Sequence, residues 1–210
     1  DFGGIVPEGT YDFGGAAGGD TLDLGGVFSL DLKRHFLTEG FYPSDLFDSR
    51  GLIDDITDFD GATATEVNAE MLVRVTQDDP SGSPTYSDFQ TFANGTYKGR
   101  GFQFRAKLTS NDTAQDIRVS QLGYTASLQR RTEQGNLTAS GAGAKAITFT
   151  HPFFVGTSSI LGANTNLPSG DYFEVSSVTG SGFVVHFKNS SNASIDRNFT
   201  YQAVGFGKGG

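Results

Sequence analysis

Apolar and polar positions alternate along much of this chain. Val67, Ala69, Met71, Val73 and Val75 alternate with Asn68, Glu70, Leu72, Arg74 and Thr76. Phe102, Phe104, Ala106 and Leu108 alternate with Gln103, Arg105 and Lys107. A period of two places one row of side chains in a core and the other outside it, which predicts strands. The last third repeats the pattern in short runs. Ile147 and Phe149 alternate with Thr148 and Thr150; Phe183, Val185 and Phe187 with Val184, His186 and Lys188; Phe199, Tyr201 and Ala203 with Thr200, Gln202 and Val204. Ile117–Ser120 and Tyr124–Leu128 predict two further strands. Phe28, Leu30 and Leu32 alternate with Ser29, Asp31 and Lys33, although Phe28, Leu32 and Phe36 also fit one face of a helix. The alternation, directly after the Gly25–Gly26 pair, favours a strand there. The chain therefore reads as all-β.

The segments between these runs set the expected organisation. Residues 1–26 are Gly-rich and repeat short phrases of Leu or an aromatic beside Asp and Gly, which suit edge strands with tight turns or a flexible arm. Residues 39–63 read as a long irregular connection broken by Pro43, Gly51 and Gly61, and residues 77–84 as a loop. Residues 129–145 are polar and small, with no continuous face to bury, and are expected to hold a linker. This divides the chain into a domain over 1–133 with a Gly-rich N-terminal arm, a linker over 134–144 and a domain over 145–210. The second is near the lower size limit for independent folding. Oligomerisation is the natural remedy where disulfides and metal are lacking.

Composition narrows the chemistry. Of 210 residues, 29 are Gly and 19 are Phe, with no Cys and no Trp, so disulfides and thiolate metal sites are excluded. The formal net charge of -9 repels phosphates and argues against a nucleic-acid partner. No apolar run approaches the roughly 20 residues that a membrane-spanning helix needs, so no membrane insertion is expected. The start at Asp1, rather than Met, suggests a fragment or processed product. His35, His151 and His186 are far apart and form no zinc motif. No nucleophile elbow or phosphate loop is present, and no cofactor is expected. Paired carboxylates for glycan cleavage are a spatial matter and stay open. Asp54, Asp55, Asp58 and Asp60 with Gly61 have part of a calcium loop's alternation but no following Glu, and read as a solvated acidic loop.

Two resemblances follow from particular phrases. The order and spacing of Ala146–Phe153, Ser177–Phe183 and Tyr201–Gly205 resemble the H-type lectin domain, over about residues 145–207. The phrases Gly9–Phe13, Thr21–Gly25, Ile53–Asp55, Asp58–Gly61, Leu72–Pro80, Tyr86–Phe92 and Gly95–Arg105 resemble the C-terminal region of host-specificity or central tail-tip (fibre) proteins of tailed bacteriophages, over about residues 9–133. Together they imply an all-β chain: a jelly-roll (galactose-binding-like) β-sandwich, then a small antiparallel H-type lectin-like β-sandwich. They imply a non-catalytic component of the virion tail, assembled in the host cytoplasm. Its partners would be other tail proteins, further copies in a homotrimer, and a host-surface glycan or receptor. A purely structural tail module, a secreted or surface lectin, and an enzyme acting on glycans are the alternatives.

The lectin resemblance also implies a sugar site built from an Arg, an Asp and a Trp-His pair. Alignment on Gly182-Phe183 puts the Trp-His pair at Ser190-Ser191, the final strand's Trp at Tyr201, and the Arg near Gly170-Asp171, where no Arg stands. The family's N-acetylgalactosamine chemistry is thus not carried over. The substitute candidates are Asp171, Tyr172, Asn189, Asn192 and Asp196: amides and carboxylates for sugar hydroxyls, and a flat aromatic face for stacking. A solvated hairpin loop would have the same composition.

Overall fold

A computed structural model describes residues 8–13, 21–42, 64–154 and 159–209. The described residues are all-β, with antiparallel strands and no helix. The strands are β1 (Glu8–Phe13), β2 (Leu22–Phe41), β3 (Val67–Thr76), β4 (Gln90–Thr91), β5 (Gly95–Ser110), β6 (Asp116–Ser127), β7 (Arg130–Ala139), β8 (Ala144–Thr148), β9 (Ser159–Asn164), β10 (Tyr172–Thr179), β11 (Gly182–Lys188), β12 (Asn198–Phe206) and β13 (Lys208–Gly209). The helical alternative over 28–38 does not form, and the two strands expected within 117–128 are one, β6. The acidic run Asp54–Asp60 lies outside the described residues.

The chain divides into two compact units. The first takes Asp1–Gly25, Leu32–Gly95 and Gly99–Ala126; the second takes Gly26–Asp31, Thr96–Lys98 and Ser127–Gly210. In the first unit β5 is central. It pairs with β3 in the register Met71↔Ala106 and Val73↔Phe104, and with β1 in the register Tyr11↔Ala106 and Phe13↔Phe104. The alternation read from the sequence sets the core: Met71, Val73, Phe102 and Phe104 are fully buried and Ala106 nearly so. Phe104 stacks on Tyr124 at 4.2 Å and packs against Phe92 at 5.2 Å. Buried Thr76 is satisfied, its hydroxyl donating to the Thr85 carbonyl at 2.8 Å. The described strands of this unit belong to a single sheet; the second sheet of a jelly roll is not among them.

The second unit has two three-stranded sheets, in the orders β10-β11-β8 and β7-β12-β9. They face each other across one apolar core. Ile147, Phe183, Val185 and Phe187 come from the first sheet, Phe199 and Ala203 from the second, and Phe149 and Phe153 from the connection after β8. The Phe187 and Phe199 rings lie 5.3 Å apart across this core. Gly182 permits the tight β8–β11 approach, because a Cβ there would run into the Ile147 carbonyl. Near the chain end, β13 pairs with β2 in the register Lys208↔Ser29, and Phe28 meets Phe154 edge-on at 5.1 Å.

The linker expectation for 134–144 needs correction. Residues 134–139 are the second half of β7, which pairs with β12 from Arg130↔Phe206 to Asn198↔Ala139. The inward row of this strand carries charge at Arg131 and Glu133 and no side chain at Gly135, so a hydrophobic period misses it. Arg131 and Glu133, with side chains 18% and 14% exposed, form an ion pair at 2.5 Å. The Arg131 guanidinium also lies 4.2 Å over the Phe153 ring and donates to the Gly207 and His151 carbonyls. At Gly135 there is no Cβ, and the Tyr201 ring fills that place.

Candidate functional site

The five candidate residues gather at one end of the second unit, where β10 begins and β11 turns towards β12. Two local turns bring them there. Pro168–Asp171 is closed by the Asp171 amide donating to the Pro168 carbonyl at 3.0 Å. Gly170 takes a left-handed φ of 87° in this turn, and a Cβ there would meet Ser190 Cβ at 2.9 Å. Only glycine satisfies both demands. The second turn follows β11. Asn189 Oδ1 accepts from the Ser191 and Ala193 amides at 3.0 and 2.9 Å, an Asx-type turn. Asn192 adopts φ 62°, a conformation that Asn tolerates better than most residues. Ile195 is tied back by its amide to the Phe187 carbonyl at 3.0 Å.

These turns bring three pairings together. The Tyr172 hydroxyl donates to Asn192 Oδ1 at 2.6 Å. Arg197 Nη2 donates to Asp171 Oδ2 at 2.5 Å, with the Asp171 side chain 9% exposed. Asp196 Oδ1 accepts from the Gly141 amide at 2.7 Å and the Ser140 hydroxyl at 3.2 Å. Tyr172 and Asn192 thus form the solvent-facing part of the cluster. Asp171 supports it from beneath, Asn189 shapes the loop, and Asp196 fastens the loop to the β7–β8 connection. Beside them Lys188 donates to Glu174 Oε2 at 2.8 Å, and that hydrogen bond holds the ammonium above its ordinary pKa.

Arg197 was not among the sequence candidates. The resemblance asks for an Arg beside Asp171, and linear alignment finds none nearby; the fold supplies one from 26 positions along the chain. No local signal marks it, since the pairing depends on β10 and β12 lying in different sheets. Arg197 Nη1 also donates to the Asp196 carbonyl at 2.9 Å, while its Nε is buried without a hydrogen-bond partner. Among the described residues, the Ser190 and Ser191 hydroxyls and the Asn192 amide nitrogen carry no protein hydrogen bond. The cluster therefore offers an aromatic face, hydroxyls and an amide to a polar, uncharged ligand.

Other candidates are dispersed. His35 Nε2 lies 2.7 Å from Thr125 Oγ1, His186 Nε2 lies 2.8 Å from Ser194 Oγ, and His151 Nδ1 lies 3.7 Å from Glu133. No group of three or more metal-ligating side chains occurs among the described residues. No helix there is long and apolar enough to cross a membrane. A concavity of about 270 Å³ in the second unit is lined by Asp31, Thr96, Gln129 and Arg131. Both Asp31 oxygens are taken, by the Thr96 hydroxyl at 2.6 Å and the Gln129 amide at 2.9 Å. These bonds, Thr96 foremost, hold the carboxyl below its ordinary value. No protein-family model, curated protein or solved structure matches the chain.

Proposed function

We propose that this chain is a non-catalytic attachment module that binds a glycan or other receptor on a host surface, as a tail tip or fibre component of a phage virion. The observation that supports it most is the exposed Tyr172–Asn192 pair. Its hydroxyl-to-amide bond of 2.6 Å fixes the ring beside groups that still have donors to offer. A pyranose would lay an apolar C–H face on the Tyr172 ring. Its hydroxyls would exchange hydrogen bonds with the Asn192 amide nitrogen and the Ser190 hydroxyl. The Asp171–Arg197 pair would not touch the sugar; it holds the start of β10 in place. Such a site is shallow and weak. Repeated copies, three in the resembling proteins, would raise avidity without new contacts. The resemblance of residues 9–133 to tail-tip proteins supports the virion assignment.

Binding of the purified chain to host-surface polysaccharide, and competition by the chain against virion adsorption, test this reading. Saturable binding with competition is the expected result. A chain that binds no host glycan and leaves adsorption unchanged would refute it.

A specific observation favours a second reading, in which the chain is a purely structural tail module. Asp171, Asn189 and Asp196 all spend oxygens on intramolecular bonds that shape the loop. Under that reading the chain associates with other tail proteins and shows no glycan binding.

A further inference from the structure

Strand β10 leaves the core of the second unit open at one side. Among the described residues it pairs only with β11, so the other edge of Tyr172–Ser176 has no strand partner there. All of its residues are exposed. Its core-facing row contains Phe173, whose ring lies 5.6 Å from that of Phe187, and Val175, which stands opposite Val185. Yet Phe173 and Val175 are 36% and 37% exposed, whereas Phe187 and Val185 are 0% exposed. Sheet edges are usually guarded against pairing by charge, proline or brevity. Tyr172–Ser176 has no proline, and its one charge, Glu174, is neutralised by Lys188 at 2.8 Å. Only the irregularity between Ser176 and Thr179, with Ser177 at φ 50°, ends the regular edge.

We propose that this edge pairs with β10 of a second copy of the chain, antiparallel about a two-fold axis normal to the sheet. Such an axis keeps the same face of both strands on the same side. Phe173 and Val175 of the two copies then continue one apolar row, and each copy closes the open side of the other's core. The charge balance favours a copy over a charged partner. The chain carries a net -9, but this edge is neutral. It has no net charge to offer a charge-seeking partner, and it does not repel its own equivalent in a register that keeps the two Glu174 side chains apart. Because side chains alternate, the two rows align only if the axis passes through a residue. An axis at Glu174 sets two carboxylates opposite each other, which destabilises. An axis at Val175 sets Val175 against itself and Glu174 against Ser176 of the other copy, and this is the proposed register. The contact joins copies in pairs, so any larger assembly holds an even number of chains.

The absence of native cysteine makes the test clean. Directly opposite residues of an antiparallel pair have Cα atoms roughly 4.5–5.5 Å apart, within disulfide reach. Val175→Cys should therefore cross-link under mild oxidation to a dimer on a denaturing gel. Leu37→Cys, a control at a position 60% exposed, should not. Wild-type protein should sediment with an even number of 22.3 kDa chains, and more firmly as salt screens the net charge. Ser176 faces away from the core, so its variants spare the fold. Ser176→Asp should weaken the pairing and Ser176→Lys should tighten it, each by roughly three- to tenfold. A single chain or an odd number of copies, a cross-link no stronger than the control, or the reverse order of the Ser176 variants would overturn the proposal.

Discussion

Strands β10 and β11 lie side by side in one sheet and carry the same kind of pattern. In β11, Phe183, Val185 and Phe187 alternate with Val184 and His186, and all three are buried. In β10, Phe173 and Val175 alternate with Tyr172, Glu174 and Ser176, and none is buried. The sequence period gives the side to which a residue points. Whether that side is covered depends on the neighbours: among the described residues, β11 has a strand on each side and Phe199 beneath it, while β10 has a strand on one side only. A finished core and an open one thus lie one strand apart.

The largest expected effect separates these strands directly. Phe187→Ala should cost about 3–5 kcal/mol, because the ring is fully buried and leaves a cavity. Phe173→Ala should cost about 1 kcal/mol or less, since part of the ring is already in water. Urea unfolding of both variants measures this, and equal losses would erase the distinction between the strands.

An intermediate effect concerns the support of the candidate site. Arg197→Ala removes the partner of a carboxylate whose side chain is only 9% exposed. The expected loss is up to about 3 kcal/mol, because the Asp171 charge is left without compensation. Arg197→Lys should recover only part of it, since an ammonium lacks the guanidinium fork that also reaches the Asp196 carbonyl. Full recovery by Lys would mean that charge alone matters there.

The smallest effect is electrostatic and lies away from both strands. Hydrogen bonds from Thr96 and Gln129 lower the Asp31 pKa below 3.8, and the bond from Arg105 does the same for Asp12. A folded-state pKa below the unfolded value makes a contribution that is complete above the unfolded value and is lost as pH falls through the folded one. Melting temperature should therefore decline below a pH of about 4, and Thr96→Val should make that decline shallower by relieving Asp31. A steeper decline in the Thr96 variant would contradict the sign.

The fold was legible where burial is apolar and alternating. Met71 and Val73, Phe102 and Phe104, and Phe183, Val185 and Phe187 all follow from period alone. Strand β7 was not, because Arg131 and Glu133 occupy its inward row and Gly135 leaves room for Tyr201. Its polar composition looks like a linker until Phe153 and the Gly207 carbonyl are seen to receive the guanidinium. At the candidate site, the loop residues were legible from their turn chemistry, as Asn189 shows. The bond between Tyr172 and Asn192 was not, nor was Arg197, since both depend on register and on two sheets facing each other.

The proposed attachment role places a polar ligand of a host surface at the exposed Tyr172–Asn192 end of the second unit. Binding of wild-type, Tyr172→Ala and Asn192→Ala protein to host polysaccharide, with melting temperature followed in parallel, tests it most directly. Both variants should lose at least about tenfold in affinity, or about 1.4 kcal/mol, at nearly unchanged melting temperature. Unchanged binding in both folded variants would mean that this end of the unit is not the ligand site.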